Sequence, residues 1–433
     1  MSSHAVRELY GGEYSGAEDM RLKDPTGGDP DPAISRSLDA LNFWLADVRG
    51  ALGPYLNVFL VTQMHWSQTS VGWVTTASGL LGLVGQTPVG AAIDSTRAKR
   101  GLVVGSLAVL AGSAVAIYAA PYFWPVLFAN TLIALVGDVF GPAVSAITLG
   151  LFARAALAGR LGRNAAFDHA GNVAIAAAAG VVGWMLSQRA VFLLVPVCAV
   201  AAAVSVLSIP GGAIDHDRAR GAVAGQDGGG PEGFRALLGN RGLLVFAVCA
   251  LLFHFANAPL LPLVGQKLAA SHPHWATSMM SACIIAAQMI MLPIALLVGR
   301  YADRVGRKPI LLVGFAVLPV RALLYCWSDN AAWLIGVQLL DGVGAGIFGA
   351  VTPLLIADLT RGSGRFNVAQ AAVATFQGVG ASVSGLVVGE IVDRFGYSAA
   401  FLESGTAAAV AFVALLLALP ETKNMSEEKH VLF

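Results

Sequence analysis

The segment Gly299-Arg300-Tyr301-Ala302-Asp303-Arg304-Val305-Gly306-Arg307-Lys308 separates two long apolar runs, roughly 277–299 and 309–327. Each run is close to the ~20 residues that an α-helix needs to cross about 30 Å of hydrocarbon. A polar, basic connector this short leaves no room for a folded domain, so the pair reads as two antiparallel membrane-spanning helices. Neither run alternates with period two, which argues against barrel strands, and in lipid only helices or closed barrels satisfy their own backbone.

Working outward, the same pattern fills the chain. Apolar segments fall at roughly 40–64, 70–92, 102–120, 124–152, 165–187, 190–209, 243–266, 277–299, 309–327, 331–357, 368–392 and 398–419, which makes twelve expected spans. The 433 residues are 56% hydrophobic and 12% charged, about half the ~25% charge of a soluble domain, and the mean hydropathy is +0.69. A soluble enzyme and a disulfide-framed secreted protein are excluded. The net charge of +1 carries no field for nucleic acid. No phosphate-binding loop is present, which removes ATP-driven pumping, and no cofactor motif is present either. Cys198, Cys249, Cys283 and Cys326 lie inside apolar runs without CxxC spacing and read as packing residues.

The basic residues set the expected orientation, because Lys and Arg accumulate on the cytoplasmic side of membrane proteins. With the N-terminus inside, the inner loops hold Arg97, Lys99 and Arg100, then Arg154, Arg160 and Arg163, then Arg300, Arg304, Arg307 and Lys308. Only Arg49, Arg189, Lys267, Arg321 and Arg394 fall elsewhere. Both termini are therefore expected in the cytoplasm, in the plasma (inner) membrane. Residues 1–37 are polar, lack the apolar core of a secretory signal and read as a cytoplasmic tail. One long polar interruption, 210–242, carries Asp215-His216-Asp217-Arg218 and Gln226-Asp227-Gly228-Gly229-Gly230. It reads as a linker between two six-helix bundles, 38–209 and 243–420, with 421–433 as a second tail.

The two bundles repeat each other. His65-Trp66 recurs as His274-Trp275, and Gly90-x-x-x-Asp94 as Gly299-x-x-x-Asp303, both 209 residues on. Asp138-x-x-Gly141 matches Asp341-x-x-Gly344 at an offset of 203. Parallel repeats of this kind place a binding site between the halves near the bilayer midplane.

On these residues the chain resembles the major facilitator superfamily. The stretch from Gly299 to Lys308 is similar to that family's motif A between helices 8 and 9. Its first-half copy, Gly90-Ala91-Ala92-Ile93-Asp94-Ser95-Thr96-Arg97-Ala98-Lys99-Arg100, is degenerate, and Pro420-Glu421-Thr422 also resembles the family. The resemblance covers about residues 40 to 421. It implies an all-α membrane fold of two six-helix bundles, alternating access, and a cavity lined by spans 1, 4, 7 and 10. It also implies a gate in which Asp94 and Asp303 help to hold the outward-open state. In physical terms Gly90 and Gly299 allow close helix approach, the carboxylates can cap a helix, and Arg97, Arg304, Gly306 and Arg307 shape a basic inner turn.

Ionisable groups within spans cost several kcal/mol and are functional candidates by default. They are Asp47 and Arg49 in span 1, Asp138 in span 4, His254 in span 7, Arg321 in span 9 and Asp341 in span 10. Asp47 and Arg49 point about 200° apart on a straight helix, so they pair only if Gly50, Gly53 and Pro54 distort it. Asp47 is the leading expected proton-coupling acid, against a salt bridge that only fixes packing. Asp138 and Asp341 are either substrate- or proton-binding acids or a symmetric packing contact. Both repeats lack the arginine that the family often carries near this point. Pro259 and Pro262 should break span 7, which puts His254 and Asn257 beside an irregular backbone suited to substrate.

Three further readings are structural. Asp168-His169 fits either an ion pair with Arg163 or helix-start chemistry. Met279, Met280, Met289 and Met291 read as packing. Gly389-Glu390-Ile391-Val392-Asp393-Arg394-Phe395-Gly396, though motif-like, reads as a capped turn into span 12. Trp44, Phe59 and Trp66 fit either substrate stacking or interfacial anchoring. The function expected is monomeric, proton-driven transport of a small solute, more in the direction of export, with a layout like the drug/proton antiporter branches. Span 5 nevertheless lacks the Gly-Pro of those antiporters. The alternative is a transition metal or its chelate, bound by Asp47 and His254.

Overall fold

The structure is a computed structural model that describes residues 31–46, 52–96, 98–215, 239–361 and 366–422, without the side chains of 87–95, 154, 155, 158 and 367. Asp47, Arg49 and Arg97 lie outside the described residues, as do 216–238 of the linker, and Gly90 and Asp94 are described by their backbone alone.

Every described element is helical. The first half runs α1 Pro32–Leu45, α2 Gly53–Thr62, α3 Gln68–Ser95, α4 Lys99–Ala119, α5 Phe123–Leu151, α6 Arg154–Met185 and α7 Leu194–Leu207, which follows a short turn of 3-10 helix. The second runs α8 Arg241–Asn257, α9 Leu260–Ser271, α10 Ala276–Val305, α11 Arg307–Trp327, α12 Ala331–Val337, α13 Leu339–Leu359 and α14 Phe366–Ala418. Among the described residues nine helices are long and apolar enough to cross a membrane. One of them, α14, covers the last two expected spans and turns at Gly396, whose φ of 80° needs a residue without a Cβ.

Polar caps set the helix starts. Asp31 accepts from the Ala33 amide at 2.8 Å with Pro32 in the first turn, so α1 begins well before residue 40. Asn240 and Asn330 cap α8 and α12 in the same manner, each at 3.1 Å. Span 7 breaks between Asn257 and Leu260, as Pro259 requires. Span 10 also breaks, between α12 and α13 at the buried Gln338, where no proline signals it.

Buried apolar residues form two clusters, one from α1–α7 and one from α8–α14. Ala269, Ala276, Met280 and Ile284 of the second half join the first cluster, because the halves meet at the end that carries connectors 63–67 and 272–275. There α2 packs on α9, α3 on the first part of α14, and α6 on α10. Close approach needs missing side chains: a Cβ built on Gly72 would sit 2.4 Å from the Gly385 carbonyl oxygen. The described contacts along these seams join residues 68–83 to 378–393 and 169–184 to 275–288. Toward the other end, where connectors 96–98, 152–153 and Gly306 lie, α5 and α13 make no comparable packing among the described residues. Among the described residues one end of the molecule is closed and the other open.

Candidate functional site

The repeat-related acids occupy different surroundings. Asp341 on α13 forms an ion pair with Arg321 of α11, a residue only 2% exposed. Gln338 donates to the second Asp341 oxygen at 3.3 Å and accepts a hydrogen bond from the Tyr325 hydroxyl. The Arg321 guanidinium lies 5.9 Å from the Tyr325 ring centroid, while its Nε and Nη2 have no hydrogen-bond partner among the described residues. Asp138 sits half-buried on α5, and no described residue makes a hydrogen bond or ion pair with it. Among the described residues the two acids therefore do not bond symmetrically to neighbouring helices. Applying the 209-residue repeat to Arg321 gives Gly112, with Ser113 next to it, so the first half lacks a cation there. One helical turn beyond Asp138, a cavity of about 210 Å³ opens toward the open end, lined by Asn42, Phe140, Gly141, Ser145, Asn164 and Asp168 among others.

His254 lies on α8 one turn before the helix break, with its Nδ1 3.0 Å from the Ala250 carbonyl oxygen and its ring edge-on to Phe348 at 4.9 Å. It belongs to an aromatic group with Phe253 and Phe315. Asn257 ends α8 and makes no side-chain hydrogen bond among the described residues. No group of three or more His, Cys, Asp or Glu side chains able to hold a metal exists among the described residues. Met280 is fully buried, in keeping with packing, and Met289 is exposed. Trp66 stacks on Phe123 at 5.8 Å and Phe59 meets Phe192 edge-on at 5.4 Å, which places both in internal packing.

At the open end two carboxylate-centred clusters tie helices within each half. Buried Asp39 of α1 binds Arg160 and Arg163 of α6, each at 2.6 Å. Asp39 thus takes Arg163, and Asp168, in the middle of α6 rather than at a helix start, accepts from the Asn172 side chain at 3.4 Å. His169 reaches across to Gln288 of α10 at 2.7 Å. In the second half, Arg307 donates to Asp358 at 3.0 Å, to the Ala302 carbonyl at 2.7 Å and to Asp303 at 2.7 Å. Burial works against the Arg307 charge, but the Asp303 and Asp358 carboxylates outweigh it and hold the guanidinium above its usual range. The cap expected of Asp303 falls to Glu421, whose two oxygens accept the Arg307 and Lys308 amides at 3.2 Å each, at the start of α11. Asp303 is 84% exposed and bonds within its own turn. Gly306 has φ 103°, and Gly299 faces open space with no atom within 4 Å of a would-be Cβ. Arg304 is exposed.

The closed end holds the contact that the sequence misled about most. Asp393 does not cap the turn into the last helix, which bends at Gly396. Its carboxylate crosses to the other half and accepts from the Gln68 amide at 3.0 Å, the Thr69 amide at 2.8 Å and the Thr69 hydroxyl at 2.7 Å. Gln68 extends the contact, donating to Gln266 at 2.8 Å and to the Tyr397 hydroxyl at 3.1 Å. Asp39, Asp358 and Gln266 carried no sequence signal, because each gains its role from a partner more than fifty residues away.

Comparison with known proteins places these features in a family. The family model described as Major Facilitator Superfamily matches residues 37–295 and 243–431. An uncharacterized MFS-type transporter of Mycobacterium tuberculosis is 48% identical over 395 residues, 90% of this chain and 94% of its own length. The class E tetracycline resistance protein of Escherichia coli is 29% identical over 140 residues, 32% of this chain and 34% of that protein. A crystal structure of a mutant of the nucleoside transporter NupG superposes with a TM-score of 0.74 at 13% identity, covering 89% of this chain and 100% of the other. A bacterial homologue of the human lysosomal transporter Spinster, solved in an inward-facing and unoccupied conformation, gives 0.69 at 13% identity, covering 90% and 96%. With the repeated bundles, the Gly299–Lys308 turn and a near full-length relative in agreement, the chain belongs to the major facilitator superfamily and is an integral membrane transporter.

Proposed function

We propose that this transporter exports a small organic solute across the plasma (inner) membrane in exchange for protons, with both termini in the cytoplasm. It works by alternating access as a monomer, with the proton gradient as its energy source and no cofactor. The observation that carries the reading is Asp138, an acid half-buried in a span that has no counter-charge among the described residues. Such a group is tolerated in a membrane when it faces water, takes a proton or meets a cationic ligand, and exchange between the last two is what antiport requires. Asp341 is the poorer candidate, since Arg321 already neutralises it.

Orientation supports the assignment of state. With the basic connectors inside, the open end faces the cytoplasm, so the described conformation is inward-facing. The partial similarity to a tetracycline resistance protein favours export. Purified protein in liposomes under an imposed pH gradient, offered candidate organic solutes, tests the proposal. Proton-driven flux should be present and should vanish in Asp138→Asn while downhill exchange persists. Full proton-driven flux in that variant removes Asp138 from the mechanism, and flux indifferent to pH removes proton coupling altogether.

A further inference from the structure

We infer that Asp393 is the latch that holds the two halves together at the closed end, by capping the first turn of α3 from the opposite bundle. The first amides of any helix have no partner within it and carry the positive end of the helix dipole. In α3, Ser67 satisfies the Ser70 amide from within its own half at 3.1 Å. The Gln68 and Thr69 amides are left for the Asp393 carboxylate, which also receives the Thr69 hydroxyl. Hydrogen bonds to an ionised acceptor are about twice as strong as neutral ones, and here three converge on one group.

The surroundings are built for this approach. A Cβ on Gly389, one turn before Asp393, would sit 2.5 Å from the Gln68 carbonyl oxygen, so only glycine lets the two backbones come so near. Gln68 then carries the contact to a third element through Gln266 of α9. Neighbouring Arg394 is engaged by Glu390 on its own helix and leaves the Asp393 carboxylate to α3. The other seam, α6 on α10, has no carboxylate among its described bonds, which run from Ser278 to the Gly180 carbonyl at 3.1 Å and between His169 and Gln288 at 2.7 Å, while Tyr55 of α2 meets Ser281 of α10 at 2.9 Å. The charged contact is therefore on one seam only among the described residues, and the halves should part there last.

A latch in a transport cycle must also release. The Thr69 bonds lie at an exposed end of the bundle, so parting the halves returns both the amides and the carboxylate to water rather than to lipid. That keeps the contact strong enough to bias the closed end and weak enough to break on each turnover. Asp393 acts at this end whichever side of the membrane it faces and whatever ion drives transport, so its test is independent of the proton-coupling proposal.

The test uses the full-length protein in lipid nanodiscs, with Cys326→Ser and paired spin labels. One pair reports the closed end, at Gln63→Cys and Ser271→Cys, and one the open end, at Gly159→Cys and Val305→Cys. Asp393→Asn should raise the ratio of separated to closed population at the first pair by about tenfold or more, from the loss of charge-assisted bonds. The second pair should shorten in the same molecules. Thr69→Val should produce a smaller shift in the same direction, and Asp393→Glu should retain most of the closed population. A merely structural role would lower thermal stability without moving the two distances in opposite senses. Unchanged distance distributions in both Asp393→Asn and Thr69→Val would overturn the inference.

Discussion

Replacing Asp341 by asparagine should destabilise this protein markedly, although its repeat counterpart Asp138 should accept the same change. The difference lies in Arg321, which is 2% exposed and whose one carboxylate partner among the described residues is Asp341. Two of its three guanidinium nitrogens already lack a hydrogen-bond partner among the described residues, and none of these is placed to take over. Removing one member of a buried pair leaves an uncompensated charge and costs ~3–5 kcal/mol. Asparagine keeps one acceptor oxygen near Arg321, which puts the expectation at the lower end, about 3 kcal/mol. Unfolding titrations of the full-length protein in mixed micelles measure it, beside Asp138→Asn, which should lie within ~0.5 kcal/mol of the parent. The double variant Arg321→Met with Asp341→Leu removes both charges and should recover more than half of the loss. A cost below about 1 kcal/mol for Asp341→Asn, or a double variant no more stable than the single one, would refute the reasoning.

Other consequences follow from the ends of the bundle. Glu421→Gln should weaken the cap on α11 by about 1 kcal/mol, seen as faster amide exchange at Arg307 and Lys308 with little change deeper in the helix. Gly72→Val should push α3 off α14, since even a Cβ there meets the Gly385 carbonyl at 2.4 Å; the expected loss is ~1–3 kcal/mol, with transport falling alongside. The Asp393 latch has a definite pH signature. Burial works against its charge, but the Thr69 hydroxyl and the Thr69 and Gln68 amides outweigh it and hold the carboxyl below its usual range in the closed state. A depressed pKa means closure is favoured in full above the ordinary carboxylate range near 4 and is lost only as pH falls through the lowered value. Tyr397 shares the site and burial holds its hydroxyl above its usual range, so it stays neutral in that window. Asp393 stays ionised from about pH 6 to pH 8, so Asp393→Asn should leave the pH dependence of the closed-end label distance in that range unchanged; a pH response there that Asp393→Asn abolishes would assign the coupling proton to this end.

Spans, repeat and motif were legible because each is written in local sequence. Apolar length reports a helix that must cross lipid, and a proline pair reports the break at Pro259. The break at Gln338 was not legible: no proline marks it, and the Gln338 side chain is turned to Tyr325 and Asp341. Asp303 looked like the capping acid because it lies close in sequence to α11, yet Glu421, more than a hundred residues on, arrives in space with better geometry. Asp393 was mistaken for a local turn for the same reason, since its hydrogen-bond donors lie more than three hundred residues away.

By itself, the sequence determined that this protein is a twofold bundle of membrane helices with a handful of intramembrane charges. Those properties follow from the energy of moving each residue type into lipid, which depends on composition and period alone. Only the tertiary structure decided which charges are neutralised. Asp138 and Asp341 stand at matching places in the repeat, but Arg321 reaches only the second, because the matching stretch of the first half, 101–119, carries no lysine or arginine. Pairing is a matter of distance between helices, and distance is what a linear sequence does not carry.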